Sequence, residues 1–426
     1  MREYKIPYGD KQVRFRIPEE VDVEILDERF VPEISDEEIE KALKSPIGTP
    51  QLYEIARKKR GNATILVNDI TRPLPYKKFL PWIIKELQQA GIPNNKITLL
   101  IATGAHRENT REEMVKMFGQ EVVDNIRIVN HSATNDTDMI NLGKTPGGLP
   151  LIINKLFAEA DIKILTGLID LHQTAGFSGG RKSVVPGISS DKLIKVHHSF
   201  PFRSREVVLG KLKDNLFHES AMEAAKMVGV DFIVNVVTNS HRKVAKVVAG
   251  DLESAWLEGV EFCKRIRMVP ISEKFDITIT SPGGYPRDID FYQSQKALSP
   301  AEITTCNGGN IILVAECQDG LGGKTDTYCR WLREGKNPAE VMQRFEKEGW
   351  TEASSKAYMF ARALNKFKIT VVTEKIEPKI LNQMFFDYAS TVEEAINKIF
   401  KEHGTPRNIC ILPHGSSIGI NYQKNY

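Results

Sequence analysis

Short apolar runs recur along this chain, and a polar loop and then a segment with helical spacing follow most of them. In the first part of the chain the runs occupy residues 63–67, 97–101, 125–130, 162–165 and 231–237. Strands that alternate with helices in this way predict a parallel sheet that is covered by helices on both faces. This pattern constrains the fold more than any other feature of the sequence, and it predicts the α/β class.

The same pattern restarts near Val269-Pro270. Further apolar runs lie at residues 277–280, 311–315, 369–373 and 409–412. A chain of 426 residues is too long for one ordinary core, because a domain usually holds about 100–200 residues. We therefore predict two α/β domains with mostly parallel sheets, residues 1–269 and 270–426, and an active site in the interdomain cleft. Within the first domain, residues 1–30 alternate as an antiparallel hairpin that turns at Gly9-Asp10.

Charge and composition argue against several classes of protein. The formal net charge of +3 is small for this length and gives no strong nucleic-acid footprint. The N-terminus is polar from Arg2 onward and does not resemble a signal peptide, and no apolar run approaches the length of a membrane span. Five cysteines without a C-x-x-C pair argue against a disulfide framework. We expect a cytoplasmic protein that binds neither nucleic acid nor membrane; its oligomeric state is open.

Polar side chains with catalytic potential follow three of the apolar runs. They are Asp69 and Arg72 after the first run, His106 and Arg107 after the second, and His172 and Lys182 after the fourth. The first pair lies on a loop because Pro73 lacks a backbone donor and ends the strand. Ligands of parallel α/β sheets bind outside the carboxyl ends of the strands. We therefore expect these side chains to share one crevice.

The third of these loops is rich in glycine. Residues 175–180 are small, Arg181 and Lys182 follow them, and residues 189–195 predict a short helix that ends near His197 and His198. Residues 176–183 almost fit the phosphate-binding pattern G-x-x-x-x-G-K-[ST], but Arg181 stands where the second glycine is needed. The loop indicates an anion or metal site. A nucleotide- or phosphate-binding protein is the alternative function from a different class.

Five segments together resemble the nickel-dependent lactate racemase family, in the family's order and nearly its spacing. They are Asp69-Ile-Thr-Arg-Pro73, Ala102-Thr-Gly-Ala-His-Arg107, Ala175-Gly-Phe-Ser-Gly-Gly-Arg-Lys-Ser183, Gly283-Gly-Tyr-Pro286 and Tyr292-Gln-Ser-Gln-Lys296. The resemblance covers most of both predicted domains. It implies a two-domain α/β enzyme with a nickel-pincer nucleotide, which is a pyridinium-3-thioamide-5-thiocarboxylate mononucleotide that holds nickel.

The resemblance also implies a role for each matching residue. Lys182 would tether the cofactor as a thioamide, His198 rather than His197 would complete the coordination of nickel, and His106 and His172 would be the two acid/bases. Further cofactor contacts would be Asp69, Ser178, Gly179, Gly180 and Tyr292, and the substrate would contact Arg72, Gln293 and Lys296. The cofactor lysine and both bases would thus lie within residues 1–269, and residues 270–426 would add substrate-binding groups.

The implied reaction is the interconversion of D- and L-lactate by hydride abstraction and return. Moving hydride avoids a carbanion beside a carboxylate, and histidine suits the proton transfer because its unperturbed pKa is about 6.5. Arg72 suits a two-pronged contact with a carboxylate, and imidazole with soft sulfur donors suits nickel. Partners would be the 2-hydroxy acid and the enzymes that make and deliver the cofactor.

Two positions depart from the family's pattern. Ala105 precedes His106 where family members carry phenylalanine, and Trp350 lies farther from Phe360-Ala-Arg362 than expected, with Ser355 at the matching distance. A racemase or epimerase of another 2-hydroxy acid therefore stays open as an alternative. A zinc hydrolase that uses His106, His172 and His198 is a third possibility. The remaining histidines are expected to be surface or capping residues; they include His131, His218, His241, His403 and His414.

Overall fold

The computed structural model describes residues 1–323 and 325–423. Its strands are β1 (Arg2–Tyr8), β2 (Lys11–Ile17), β3 (Asp22–Ile25), β4 (Ala63–Asn68), β5 (Ile97–Ala102), β6 (Arg127–Asn130), β7 (Met139–Lys144), β8 (Pro150–Asn154), β9 (Ile162–Leu168), β10 (Leu171–His172), β11 (Gly176–Phe177), β12 (Phe232–Thr238), β13 (Val244–Gly250), β14 (Met268–Ile271), β15 (Phe275–Thr280), β16 (Thr305–Val314), β17 (Lys368–Val372), β18 (Asp387–Ala389), β19 (Asn408–Leu412) and β20 (Gly419–Tyr422).

The α-helices of the same described residues complete the element order. They are α1 (Asp36–Lys44), α2 (Leu52–Lys59), α3 (Tyr76–Gln89), α4 (Arg111–Phe118), α5 (Gln120–Asn125), α6 (Lys155–Ala158), α7 (Asp191–His198), α8 (Leu216–Val228), α9 (Ser254–Arg267), α10 (Phe291–Ser294), α11 (Leu298–Thr304), α12 (Thr327–Glu334), α13 (Pro338–Glu348), α14 (Ser354–Leu364), α15 (Pro378–Gln383) and α16 (Val392–His403). Among these helices, none has both the length and the apolar character needed to cross a membrane.

The contacts within the chain divide it into two compact units. The first unit holds Phe30–Ser204 and Lys211–Ile266; the second holds Met1–Arg29, Arg205–Gly210 and the described residues from Arg267 onward. The division near Arg267 lies close to the predicted boundary at 269, but the first 29 residues group with the second unit. They do so because β3 pairs with β19, a long-range contact that no local pattern reveals. The predicted interdomain position of the active site stays a prediction.

The first unit is built on a six-stranded sheet in the order β13-β12-β9-β4-β5-β6. All neighbours are parallel except β12 and β13, so the α/β class and the mostly parallel sheet are confirmed. The antiparallel edge strand β13 was not predicted. From β4 the chain runs outward to β5 and β6 on one side, and it returns to β9 on the other side. The strand order therefore reverses between β4 and β9, where such sheets bind ligands.

The central strands are apolar on both sides because helices cover both faces of the sheet. In β4, Ile65 and Val67 pack into one core cluster, whereas Leu66 packs into the other. The end of β4 is fixed by Tyr76, the first residue of α3. Its hydroxyl accepts a hydrogen bond from the Asn68 amide at 2.5 Å and lies 3.3 Å from the Thr166 hydroxyl in β9. These contacts hold the loop that begins at Asp69.

The second unit has its own six-stranded sheet, in the order β18-β17-β16-β15-β19-β3. Every neighbouring pair in it is parallel. The four strands predicted for this part of the chain are confirmed as β15, β16, β17 and β19, although β16 begins earlier than expected. The antiparallel hairpin of β1 and β2 is also confirmed, with its turn at Gly9-Asp10.

Candidate active site

A buried carboxylate follows β4 and contacts the histidine that follows β5. Asp69 is only 3% exposed, and its Oδ1 accepts hydrogen bonds from the amide and the hydroxyl of Thr71 at 2.7 and 2.5 Å. Its Oδ2 lies 2.8 Å from Nδ1 of His106. An ionised carboxylate can only accept, so Nδ1 of His106 carries a hydrogen. In the neutral ring Nε2 then carries the lone pair, which is the arrangement that a general base requires.

Hydrogen bonds keep Asp69 ionised in spite of its burial. Burial by itself raises the pKa of this carboxyl, but hydrogen bonds from His106 and Thr71 outweigh it and bring the pKa below the usual value. The backbone also holds the two loops, because the Arg72 amide donates to the Asp69 carbonyl at 3.0 Å and the His106 amide donates to the Thr103 carbonyl at 2.9 Å. Asp69 thus orients His106. Its predicted contact with the cofactor stays a prediction.

A second pair of side chains lies after β9, the strand next to β4 in the sheet. Nζ of Lys182 lies 2.7 Å from Nε2 of His172. The other ring nitrogen, Nδ1, accepts hydrogen bonds from the backbone amides of Thr174 and Ala175 at 3.2 and 3.1 Å. Both side chains are half-buried. The predicted base and the predicted tether are therefore direct neighbours.

Burial and positive charge act together on this pair. The pKa of Lys182 lies well below its usual value because of burial and the charges of Arg72 and Arg181. The pKa of His172 is also well below its usual value, through burial and then through the charges of Lys182, Arg72, Arg181 and His198. The Arg72 side chain is exposed, yet its charge acts on both members of the pair. Four residues therefore interact through their charges at this site: Arg72, His172, Lys182 and His198.

The two adjacent histidines at the end of α7 differ in what they can bind. His197 is fully buried; its Nε2 lies 3.0 Å from the Phe217 carbonyl and its ring stacks on Phe217 at 3.7 Å. In His198, Nδ1 lies 2.9 Å from the Ile194 carbonyl, so it must donate and Nε2 keeps the lone pair. Burial, followed by the charges of Arg203 and Lys182, lowers the pKa of His198 to about 3. A neutral imidazole that is fixed through Nδ1 is the usual form of a metal ligand.

Arg181, the neighbour of Lys182, points away from this site. It is fully buried over the ring of Trp256, 4.0 Å from the ring centre. Its Nε donates to Nδ1 of His218 at 3.0 Å, and its terminal nitrogens donate to the carbonyls of Ser178, Gly179 and Ala175. Arg181 therefore holds the glycine loop together and does not capture an anion, which corrects the expectation that both cations serve an anion site.

The glycine loop packs against protein at the positions predicted to contact the cofactor. The Gly180 amide donates to the Asn235 side chain at 2.7 Å, and the Ser178 hydroxyl donates to the Leu168 carbonyl at 2.6 Å. Gly179 has φ +75°, and a Cβ there would lie 2.6 Å from Oδ1 of Asn235. Residues 176–183 form a two-residue strand and a 3-10 turn, Gly180–Ser183, instead of the start of an α-helix. These contacts count against a phosphate cradle; the cofactor contacts of Ser178, Gly179 and Gly180 stay predictions.

The predicted substrate contacts Gln293 and Lys296, and the predicted cofactor contact Tyr292, belong to the second unit. Tyr292 and Gln293 lie in helix α10, which is only four residues long. The side chain of Asp290 caps the N-terminus of this helix, because its Oδ1 accepts a hydrogen bond from the Gln293 amide at 2.6 Å. Lys296 lies in the 3-10 turn Gln295–Ala297 that follows.

A buried lysine that was not predicted lies beside Tyr292. Lys356 in α14 is 6% exposed; its Nζ donates to Oε1 of Gln295 at 2.9 Å and lies 4.9 Å from the centre of the Tyr292 ring. It follows Ser355, the position singled out for its distance from Arg362. The signal in the sequence was a cation at the start of a helix whose following residues are mostly apolar.

Two other histidines lie away from the surface, with His131 buried and His218 half-buried. His131 is 1% exposed; its Nε2 lies 3.0 Å from the Ser189 carbonyl, and burial lowers its pKa to about 4. His218 stacks on Trp256 at 5.3 Å and accepts from Arg181, and burial followed by the Arg181 charge lowers its pKa to about 3. Both are structural residues.

In the described part of the chain, no group of three or more histidine, cysteine, aspartate or glutamate side chains has the geometry of a metal site. The arrangement of His106 explains part of this, because its Nδ1 faces Asp69. His172 faces two backbone amides on one side and Lys182 on the other. A zinc hydrolase built on His106, His172 and His198 is therefore not supported.

Comparisons with known proteins cover both units. Residues 8–210 match the lactate racemase N-terminal domain family, and residues 271–420 match the lactate racemase C-terminal domain family. The chain is 37% identical over 391 residues to a lactate racemase of Lactiplantibacillus plantarum, with 90% of each chain covered. It is 37% identical over 426 residues to a lactate racemase of Thermoanaerobacterium thermosaccharolyticum, with 98% of this chain and 99% of that protein covered.

Solved structures agree with these matches. The lactate racemase apoprotein from Thermoanaerobacterium thermosaccharolyticum superposes with a TM-score of 0.90 at 35% identity, covering 99% of this chain and 100% of that one. A protein from Thermotoga maritima superposes with a TM-score of 0.65 at 17% identity, covering 92% and 99% of the two chains. At that identity the second similarity concerns the fold alone.

Proposed function

This chain belongs to the lactate racemase family and is an isomerase, and we propose that it interconverts D- and L-lactate with two histidine acid/bases and a lysine-tethered nickel-pincer nucleotide. The family resemblance of the sequence is confirmed by the matches over both units. One observation carries the site assignment. The strands β5, β4 and β9 are adjacent in the sheet, and two pairs of side chains lie beyond their carboxyl ends. In one pair His106 contacts Asp69, and in the other His172 contacts Lys182.

The residues present fit the proposed cofactor. Lys182 offers an amine whose pKa lies well below the usual value because of burial and the charges of Arg72 and Arg181, which favours the neutral, nucleophilic form. His198 offers Nε2 to a metal, because its Nδ1 is bound to a backbone carbonyl. Imidazole together with sulfur donors suits nickel. When bound, the cofactor would accept hydride from C2 of the substrate and return it. A solved relative is an apoprotein, which supports dependence on a cofactor.

In this proposal, His106 is the acid/base whose tautomer the structure defines best. Its Nε2 takes the hydroxyl proton of one enantiomer, and the buried Asp69 carboxylate stabilises the imidazolium that results. His172 is the proposed acid/base for the other enantiomer. Arg72, whose positive charge acts on His172, is the proposed bidentate partner of the substrate carboxylate. Gln293 and Lys296 remain proposed substrate contacts, as the resemblance implies.

A second candidate is a racemase of a 2-hydroxy acid that is larger or more acidic than lactate. Lys356 favours it, because this buried ammonium lies beside Tyr292, which precedes the proposed contact Gln293 in α10. Parallel assays with lactate, malate and 2-hydroxyglutarate would separate the two candidates. A higher kcat/KM for a dicarboxylate, reversed by Lys356→Met, would favour the second; a preference for lactate in both proteins would exclude it.

The proposal includes partner enzymes that make and deliver the cofactor, and a cytoplasmic location where they work. Protein from a host without that pathway should be inactive. Co-expression with the pathway should add the cofactor mass to the wild-type chain, bring nickel with it and give racemisation. Lys182→Ala should gain no mass. Equal masses for both proteins after co-expression, or racemisation without nickel, would refute the proposal.

A further inference from the structure

His172 has contacts at both ring nitrogens, and these contacts fix its protonation. Its Nδ1 faces two backbone amides, those of Thr174 and Ala175, at 3.2 and 3.1 Å. A backbone N–H only donates. Nδ1 must therefore carry a lone pair, and the hydrogen of the neutral ring must lie on Nε2. The ring is thus a donor at the nitrogen that faces Lys182.

This tautomer determines the state of the lysine. Nε2 of His172 lies 2.7 Å from Nζ of Lys182. A hydrogen bond donated by Nε2 requires a lone pair on Nζ, and an ammonium group has none. The contact therefore selects the neutral amine. The same lone pair is the one that a nucleophilic amine uses.

From this geometry we propose that His172 has a role before racemisation, in which it positions Lys182 as a neutral amine for covalent attachment of the cofactor. The identity of the molecule that reacts with Lys182 rests on the proposed function, but the reactivity of the amine does not. In this role His172 acts as a positioning residue, because the bond forms at Nζ of Lys182.

The charged and titratable groups around the amine act in the same direction. Arg72 on the loop after β4 and Arg181 on the 3-10 turn are cations that disfavour a further positive charge at Lys182. His198 on α7 also interacts with Lys182, and its own pKa is lowered to about 3 by burial first, then by Arg203 and by Lys182. At neutral pH the ring of His198 is therefore uncharged and does not stabilise an ammonium group at Lys182. The surroundings thus favour the neutral amine that the hydrogen bond selects.

Attachment is a condensation without electron transfer. The nitrogen of Lys182 bonds to the carbon of a thiocarboxylic acid arm, and the carbon–oxygen bond of that arm breaks. The oxygen leaves as water with one amine proton and the acid proton, and the thioamide retains the sulfur. In a thioamide the nitrogen lone pair is delocalised, so Nε2 of His172 loses its acceptor. Attachment thus ends this contact, and the ring hydrogen must then move from Nε2 to Nδ1, away from the amides of Thr174 and Ala175, before Nε2 can take a proton in its proposed second role as an acid/base.

A small acyl probe can test the amine without the cofactor. Full-length unloaded protein is treated with p-nitrophenyl acetate; the amine displaces nitrophenolate, and peptide mass spectrometry follows the acetylation of each lysine. The rate at a free lysine amide in the same solution should rise about 100-fold between pH 7 and 9, because the unperturbed lysine pKa is about 10.4. The rate at Lys182 should change less than about threefold over the same range, since a neutral amine does not titrate there.

His172→Asn is the matched variant. The asparagine Oδ1 can accept from the Thr174 amide in an Asx-turn, so the loop keeps its turn while the contact with Lys182 is lost. We expect acetylation of Lys182 at pH 7 to slow by about tenfold or more, with recovery near pH 10, and the circular dichroism spectrum to stay unchanged. A wild-type Lys182 that follows the pH profile of the free lysine amide, or a variant that is acetylated at the wild-type rate, would overturn the inference.

Cofactor loading separates this inference from the proposed function. Unloaded proteins are mixed with the purified nickel-pincer nucleotide, and intact mass is followed at pH 7. Wild type should gain mass faster than His172→Asn, and Lys182→Ala should gain none. If Lys182→Ala also gains mass, the proposed function fails. If wild type and His172→Asn load at equal rates while Lys182→Ala does not load, only the role of His172 fails.

Discussion

Oδ2 of Asp69 lies 2.8 Å from Nδ1 of His106, although the two residues follow different strands of the sheet. The carboxylate is buried, whereas the imidazole is partly exposed. The pair therefore presents Nε2 of His106 away from the protein core with its lone pair available. Asp69 acts on the reaction through His106.

Asp69→Asn should lower kcat for racemisation by about 10²- to 10⁴-fold, the range that general base catalysis usually supplies. The amide cannot stabilise the imidazolium, and its NH₂ group can turn His106 to the wrong tautomer. The kinetics of loaded enzyme measure the effect. Intact mass should show normal loading, and Thr71→Val, which removes one hydrogen bond to Asp69, should lower kcat far less. Lost loading with unchanged kcat per cofactor would instead indicate that Asp69 binds the cofactor.

Buried histidines predict that the unloaded protein loses stability in mild acid. The pKa of His131 falls to about 4, and the values of His198 and His218 fall to about 3, in each case first through burial. In the unfolded chain these groups bind protons below about pH 6.5, whereas the folded protein still excludes them. Stability is therefore complete above that pH and declines as the pH falls from about 6.5, down to about 4 for His131 and to about 3 for His198 and His218. Urea unfolding at several pH values measures this slope.

His131→Gln is the control for this pH dependence. The shift at His131 corresponds to about 3 kcal/mol between neutral pH and pH 4, as an order of magnitude. Glutamine can keep a hydrogen bond to the Ser189 carbonyl but cannot titrate. The variant should lose stability at pH 7, yet its stability should depend less steeply on pH. A wild-type stability that is flat from pH 7 to 5 would contradict the burial of these rings.

The ends of the strands were predictable because local chemistry determines them. Pro73 requires β4 to stop before it, and β4 ends at Asn68; the small polar loop after β5 ends that strand. The order of the strands was not predictable, because the sequence of a strand that is buried on both faces does not indicate which strands lie beside it. The switch point between β4 and β9 emerged only from the structure. It explains why Asp69, His106 and His172 follow neighbouring strands.

Side-chain directions within the glycine loop also could not be predicted. Arg181 and Lys182 are adjacent in the sequence, but their side chains have different partners. The guanidinium of Arg181 contacts Trp256 and His218, whereas the amine of Lys182 contacts His172. Trp256 and His218 come from α9 and α8, far along the chain. Likewise, the burial of His131 depends on Ser189 and Asn154. Contacts of this kind depend on tertiary packing, which local spacing does not encode.

Gly179→Ala should destabilise the protein strongly, because a Cβ would meet Oδ1 of Asn235 at 2.6 Å and Cγ1 of Ile169 at 2.8 Å. Its φ of +75° adds backbone strain. Overpacking and strain each cost about 1–3 kcal/mol. Gly91→Ala is the control, since its φ is +89° and nothing lies within 4 Å of the added Cβ. Only the strain should remain there. Equal shifts of the thermal midpoint in the two variants would show that the Gly179 loop can move away.

The second unit contains a buried charged pair. Nε and Nη2 of Arg362 donate to the two carboxylate oxygens of Glu302 at 2.9 and 2.7 Å, and both side chains are buried. Glu302→Gln would leave the guanidinium without its counter-charge. Removing one partner of such a pair costs about 3–5 kcal/mol, because an uncompensated charge stays buried.

The exposed pair of Arg14 and Glu3 provides the matched comparison, with Nη1 and Oε1 3.1 Å apart and both side chains solvated. Glu3→Gln should cost less than about 1 kcal/mol, because water and ions screen the pair. The double variant Arg362→Met with Glu302→Leu should recover most of the loss, since it leaves no buried charge. Denaturant unfolding followed by tryptophan fluorescence compares the three proteins. A loss at Glu302→Gln no larger than at Glu3→Gln would mean that water reaches Arg362. A large loss with recovery in the double variant would show that Arg362 stabilises the second unit through its charge pair with Glu302.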